Sequence, residues 1–173
     1  ISGVSAADLV DGQALSGLLE FAEGQLSQTV VVTVRGDRVE EVDEVITFGL
    51  TNLSSDLKPC EFTAIAPTVV DDDAVVSVST EAETVIEGAA GAQTELSFTV
   101  TRSNGKAESH VDWSLAELAE GSLADGQATA GRISFAEGET TATITVLLIG
   151  DNTIEASENV AITLLNPGPN LVI

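Results

Sequence analysis

The stretch Ala142-Thr143-Ile144-Thr145-Val146-Leu147-Leu148-Ile149-Gly150-Asp151-Asn152-Thr153-Ile154-Glu155-Ala156-Ser157-Glu158 decides the fold. Its first eight residues are apolar or β-branched, the composition of a strand. Gly150-Asp151 ends the run, and three carboxylates follow at Asp151, Glu155 and Glu158 before a second apolar run, Val160 to Leu165. The pattern is a strand leading into an acidic loop at one end of a β-sandwich. The same pattern stands earlier. Thr29-Val30-Val31-Val32-Thr33-Val34 reads as a strand and runs into Gly36-Asp37-Arg38-Val39-Glu40-Glu41-Val42-Asp43-Glu44.

Outward from these two stretches the chain repeats itself at a shift of 114 residues. Asp11-Gly12-Gln13-Ala14 recurs as Asp125-Gly126-Gln127-Ala128, and Phe21-Ala22-Glu23-Gly24 as Phe135-Ala136-Glu137-Gly138. Gly36-Asp37 recurs as Gly150-Asp151, and Glu41 and Glu44 as Glu155 and Glu158. Turn glycines and acidic positions are kept together with the strand pattern, which shared composition alone would not produce. Further strands are expected at Val45–Leu50, Phe62–Val70 (with Pro67 confining it to an edge or a bulge), Val75–Val78, Leu96–Thr101, Val111–Leu115 and Ile133–Phe135. Ser103-Asn104-Gly105 reads as a hairpin turn, and Ala116–Glu120 as a short helical turn in a loop. Strands of this length with turns every 8–12 residues give an all-β sandwich architecture. The first copy occupies residues 1–73 and the second 74–173. On this reading the first lacks its N-terminal strands and the second its last strand, so each is expected to draw strands from elsewhere.

Composition limits the function. The 173 residues carry 28 acidic and 6 basic side chains, a net charge of -22. Such a chain repels nucleic-acid phosphates and anionic membrane surfaces and suits cations. Hydrophobic residues make up 43%, enough for a core, but aromatics only 3%, so Val, Ile, Leu and Ala must build it. No apolar run approaches the roughly 18 residues of a membrane span. Cys60 is the only cysteine and reads as a packing residue. His110, the only histidine, lies beside Ser109, but strand alternation sends these two side chains to opposite faces, which argues against a catalytic triad.

The order and spacing of these pieces resemble the Calx-beta family. Thr84-Val85-Ile86-Glu87-Gly88, Phe98-Thr99-Val100-Thr101-Arg102, Val111-Asp112-Trp113, Phe135-Ala136-Glu137-Gly138-Glu139-Thr140, Gly150-Asp151 and Leu164-Leu165-Asn166-Pro167 carry the resemblance, with Asp71-Asp72-Asp73 closing the first copy. It implies tandem immunoglobulin-like antiparallel β-sandwiches and calcium as the bound ion. Position by position, the implied metal ligands of the first copy are Asp11, Asp37, the Val39 carbonyl, Glu41, Glu44, Asp71, Asp72 and Asp73. Those of the second are Glu87, Asp125, Asp151, the Thr153 carbonyl, Glu155 and Glu158. Gly36 and Gly150 each replace an aspartate of the family pattern.

Calcium takes roughly 6–8 oxygen ligands, which clustered carboxylates and carbonyls supply. The same residues also read as solvated turn charges or as gatekeepers on strand edges. The expectation is a non-enzymatic extracellular or cell-surface repeat, structural or adhesive, stiffened by calcium where repeats meet. The alternative is a surface filament subunit, a homopolymer whose incomplete sandwiches are completed by strands from neighbouring copies.

Overall fold

The computed structural model describes residues 1–58, 64–82, 84–116, 118–119, 121–154 and 156–173. Cys60, Phe62, Glu117, Glu120 and Glu155, all part of the readings above, lie outside the described residues. The chain divides into two compact units, Ile1–Asp37 with Glu41–Asp71, and Arg38–Glu40 with Asp72–Ile173. Both are all-β, and no helix among the described residues is long and apolar enough to cross a membrane.

The first unit holds short strands. β1 (Glu44–Val45) pairs antiparallel with β4 (Thr68–Val69), and β2 (Phe48–Gly49) with β3 (Ala64–Ile65). Pro67 separates β3 from β4. It has no N–H to give a ladder, but its carbonyl accepts from Ile46 N at 2.9 Å. A 3-10 turn, Ala6–Asp8, is capped by Ser5, whose Oγ accepts from Ala7 N. The strand expected at Thr29–Val34 does not form: only Val34 makes a bridge, to Leu9. Val30, Val31 and Val34 are 51%, 71% and 42% exposed. β-branched composition favours extended backbone, but a ladder needs a second strand, and among the described residues none pairs along the outer edge of this run.

The second unit supplies what the first lacks. Its strands are β5 (Ala74–Thr80), β6 (Gln93–Arg102), β7 (Ser109–Leu115), β8 (Ala130–Phe135), β9 (Thr141–Ile149), β10 (Ile162–Leu165) and β11 (Leu171–Val172). One sheet has the order β11-β5-β6-β9 and the other β10-β7-β8. All pairings are antiparallel except β11 with β5, which is parallel. The parallel pair sets Leu171 opposite Ala74 at the edge of its sheet. Along β7 the side chains alternate buried and half-buried, putting Val111, Trp113 and Leu115 inward. They meet Val76, Phe98, Val100, Ile144 and Val146 of the facing sheet. Fully burying each such side chain is worth about 1.5–3 kcal/mol. Trp113 lies flat against Gly131, where an added Cβ would come within 2.9 Å of the indole Nε1.

The hairpin expected at Ser103-Asn104-Gly105 is instead a corner, because β6 and β7 belong to different sheets. Arg102 holds that corner. Its buried guanidinium donates to the carbonyls of Glu139, Ala107 and Ala136 and to Ser109 Oγ, and it lies over the Phe135 ring. Burial lowers its pKa, but an arginine has range to spare and stays charged.

Candidate metal centre

The acidic loops sit on a scaffold that both units build in the same way. In the first unit Val10 N donates to Thr33 O, Arg35 N to Asp8 O, and Thr33 N to Gln13 Oε1. In the second, 114 positions on, Ala124 N donates to Leu147 O, Ile149 N to Ser122 O, and Leu147 N to Gln127 Oε1. The isolated bridge Leu9–Val34 has its counterpart in Leu123–Leu148. Gln13 and Gln127 thus clip the same loop onto the same run, a role the sequence repeat marked without explaining.

Glu44 and Glu158 are also equivalent. Glu44 Oε1 accepts from Ser5 N at 3.2 Å, and Glu158 Oε1 from Ala119 N at 3.0 Å. In the second unit Ser122 Oγ also donates to Glu158 Oε2, at 3.0 Å. The first unit has Asp8 where the second has Ser122. A carboxylate oxygen accepts but does not donate, so the first unit has no equivalent of the Ser122 Oγ donor to this glutamate.

Around that substitution the first unit gathers charge. Asp8 Oδ2 is buried and has no hydrogen-bond partner. The Glu41 carboxyl is pushed above its ordinary value of 4.5, first by Asp8, then by burial, then by Asp37, Glu44 and Asp71. Main-chain donors organise the loop: Glu41 N donates to Asp71 Oδ2 at 2.9 Å, and Asp71 N to Asp43 Oδ1 at 3.2 Å. Of the other predicted ligands, Asp37, Glu44 and Asp71 all lie near enough to raise Glu41. Asp11 does not join them; it is exposed and pairs with Arg35 at 3.0 Å. Asp72 and Asp73 belong to the second unit, Asp72 exposed and Asp73 buried, with the Asp73 carbonyl accepting from Asn104 Nδ2. Asp8 and Asp43 were absent from the predicted set. The signal for Asp8 was available, since it is an acid where the sister copy has a serine.

The predicted ligands of the second unit stand differently. Glu158 has an N–H or O–H donor on each oxygen. Asp151 Oδ1 accepts from Thr153 N, closing a local turn. Glu87 and Asp125 are exposed. Across both units, no three His, Cys, Asp or Glu side chains among the described residues are grouped tightly enough to hold a metal ion.

The family model of the Calx-beta domain matches residues 4–73 and again residues 70–171. The chain belongs to the Calx-beta domain family. This Calx-beta chain is also similar to a solved structure described as the crystal structure of calcium binding domain CBD12 of CALX1.1. The identity is 19% and the TM-score 0.37, with 79% of this chain and 53% of that one covered. The Calx-beta chain thus spans about half the length of that structure.

Proposed function

We propose that the chain is a non-enzymatic structural module whose first unit binds calcium through Asp8, Asp37, Glu41, Glu44 and Asp71. The observation that carries this reading is the buried, unpartnered Asp8 Oδ2 beside carboxylates that push Glu41 up. An anion without a donor among like charges is relieved by a proton or a cation. The donor set, carboxylates with main-chain carbonyls, is the hard-oxygen chemistry of calcium; magnesium's stricter octahedral geometry at shorter distances suits a multi-loop cluster less well. Binding draws these side chains inward from their present spacing and replaces their repulsion by a shared counter-charge. Membership of the Calx-beta family supports the same ion. A non-catalytic role is supported by β7, where Ser109 is buried on the core side and His110 faces outward. The net charge of -22 and the tandem organisation support a place outside the cell, in a stalk or adhesive repeat.

Isothermal titration of the chelator-treated chain with calcium tests the reading. A saturable heat, lost in Asp8→Asn and in Glu41→Gln, is expected; no heat and an unchanged melting curve in calcium would sink it.

A further inference from the structure

Gly150 stands where the family pattern has an acidic ligand, and its surroundings leave no room for one. A Cβ at this position would lie 2.7 Å from Gly88 O, 2.8 Å from Ala89 O and 2.9 Å from Glu87 O. All three are main-chain oxygens, which cannot swing aside as a side chain could. Their loop is itself fixed: Thr94 Oγ1 donates to Ile86 O and Glu87 O, and Ala92 N to Ala89 O. Gly150 closes on that loop with a reciprocal pair of bonds, Gly91 N to Gly150 O at 2.7 Å and Gly150 N to Ala92 O at 2.9 Å. A carboxylate side chain here would point negative charge at three carbonyl oxygens. The equivalent Gly36 of the first unit has nothing within 4 Å of the same point.

We infer that Gly150 closes this end of the second unit by backbone packing in the place of a bound cation, so that the second unit holds its loops without metal. The tasks a cation would perform are already done by hydrogen bonds. The 86–92 loop is tied to Gly150, and Glu158 is satisfied on both oxygens by Ala119 N and Ser122 Oγ. The glycine is therefore not a ligand lost from a working site but the residue that lets the two loops meet. The contrast with the first unit rests on the calcium reading above; the Gly150 closure does not.

The test uses the full chain carrying Gly150→Asp, Gly150→Ala or, as the matched control, Gly36→Asp, with calcium chloride or EDTA as the only variable. Both Gly150 variants are expected to lower the melting temperature of the second unit by about 5–10 °C, equally in calcium and in EDTA. Gly36→Asp is expected to shift the first unit's transition far less. In the unsubstituted chain, nuclear magnetic resonance of the amides at 86–92 and 150–158 should show no movement on titration with calcium. This last measurement does not depend on how the variants fold. A Gly150→Asp chain that calcium restores to the parent melting temperature would overturn the inference, and so would calcium-dependent shifts at 86–92. If calcium binds nowhere while both Gly150 variants still fall, the proposed function fails and the closure stands.

Discussion

Thr29–Gly36 and Thr143–Gly150 are the same run of sequence in two settings. The second is a strand, with Ile144, Val146 and Leu148 buried and each residue from Thr141 to Ile149 opposite one of β6. The first is extended and mostly exposed, although its valines have the higher β-propensity. On one edge the two are alike: the Leu9–Val34 and Leu123–Leu148 bridges, and the glutamine clips, coincide. On the other edge β6 lies against Thr143–Ile149, while among the described residues no strand pairs with Thr29–Arg35. Propensity prepares a strand; the partner makes it, because only pairing satisfies the outer N–H groups and only the facing sheet removes the side chains from water.

The largest test of that contrast is a matched pair of deletions. Ile144→Ala should cost about 2–5 kcal/mol, the range for emptying a packed aliphatic site. Val30→Ala, at the equivalent position, should stay within about 0.5 kcal/mol, as exposed substitutions do. Urea unfolding of the two variants decides it. Equal losses would mean that the Thr29–Val34 run is packed in solution and that the difference between the units is unreal.

A smaller effect should separate the two glutamine clips. Gln127 Oε1 receives the part-buried Leu147 N, so Gln127→Ala leaves a donor stranded against a packed sheet and should cost about 1–2 kcal/mol. Gln13→Ala breaks the same bond at an exposed site, where water replaces the carbonyl, and should cost no more than about 0.5 kcal/mol. If the two cost the same, the clip is worth its hydrogen bond alone and the core behind it adds nothing.

These cases show what the sequence could and could not carry. The strand at Val111–Leu115 was legible and forms as β7, with Val111, Trp113 and Leu115 inward, because a period of two lies in the order of the residues. The spacing of Gly150 to Glu158 against Gly36 to Glu44 led to the acidic loops for the same reason. The fate of Thr29–Val34 was not legible, since pairing is a property of two segments. Nor was the corner at Asn104-Gly105: a turn signal says that the chain reverses, not which sheet it enters. The repeat marks Asp8 only as an acid where the sister copy has a serine; the burial of its Oδ2 needs three dimensions. Gly150 read as an aspartate lost. The carbonyls of 87–89 that occupy its side-chain space come from more than 60 residues away in the chain.

The smallest effect is a pH dependence confined to the first unit. Glu41 holds its proton more tightly in the folded chain than a free carboxyl with an ordinary value of 4.5, chiefly because Asp8 is near. A group whose folded pKa is raised contributes most below its unfolded value, and the contribution is lost as pH climbs through the folded one. In EDTA, exchange of the Glu41 amide, held by Asp71, and of the Ser5 amide, held by Glu44, should therefore speed up beyond the intrinsic rate as pH rises above about 4.5. Glu41→Gln should flatten this slope, because a neutral amide feels no such repulsion. Calcium should reverse its sign, since a cation favours the ionised carboxylates and binds better as they lose their protons. In the corresponding loop of the second unit, where Glu158 accepts from Ala119 N and Ser122 Oγ, calcium should leave the exchange of the Ala119 amide unchanged. A calcium-dependent reversal at the Ala119 amide would place the cation in the wrong unit.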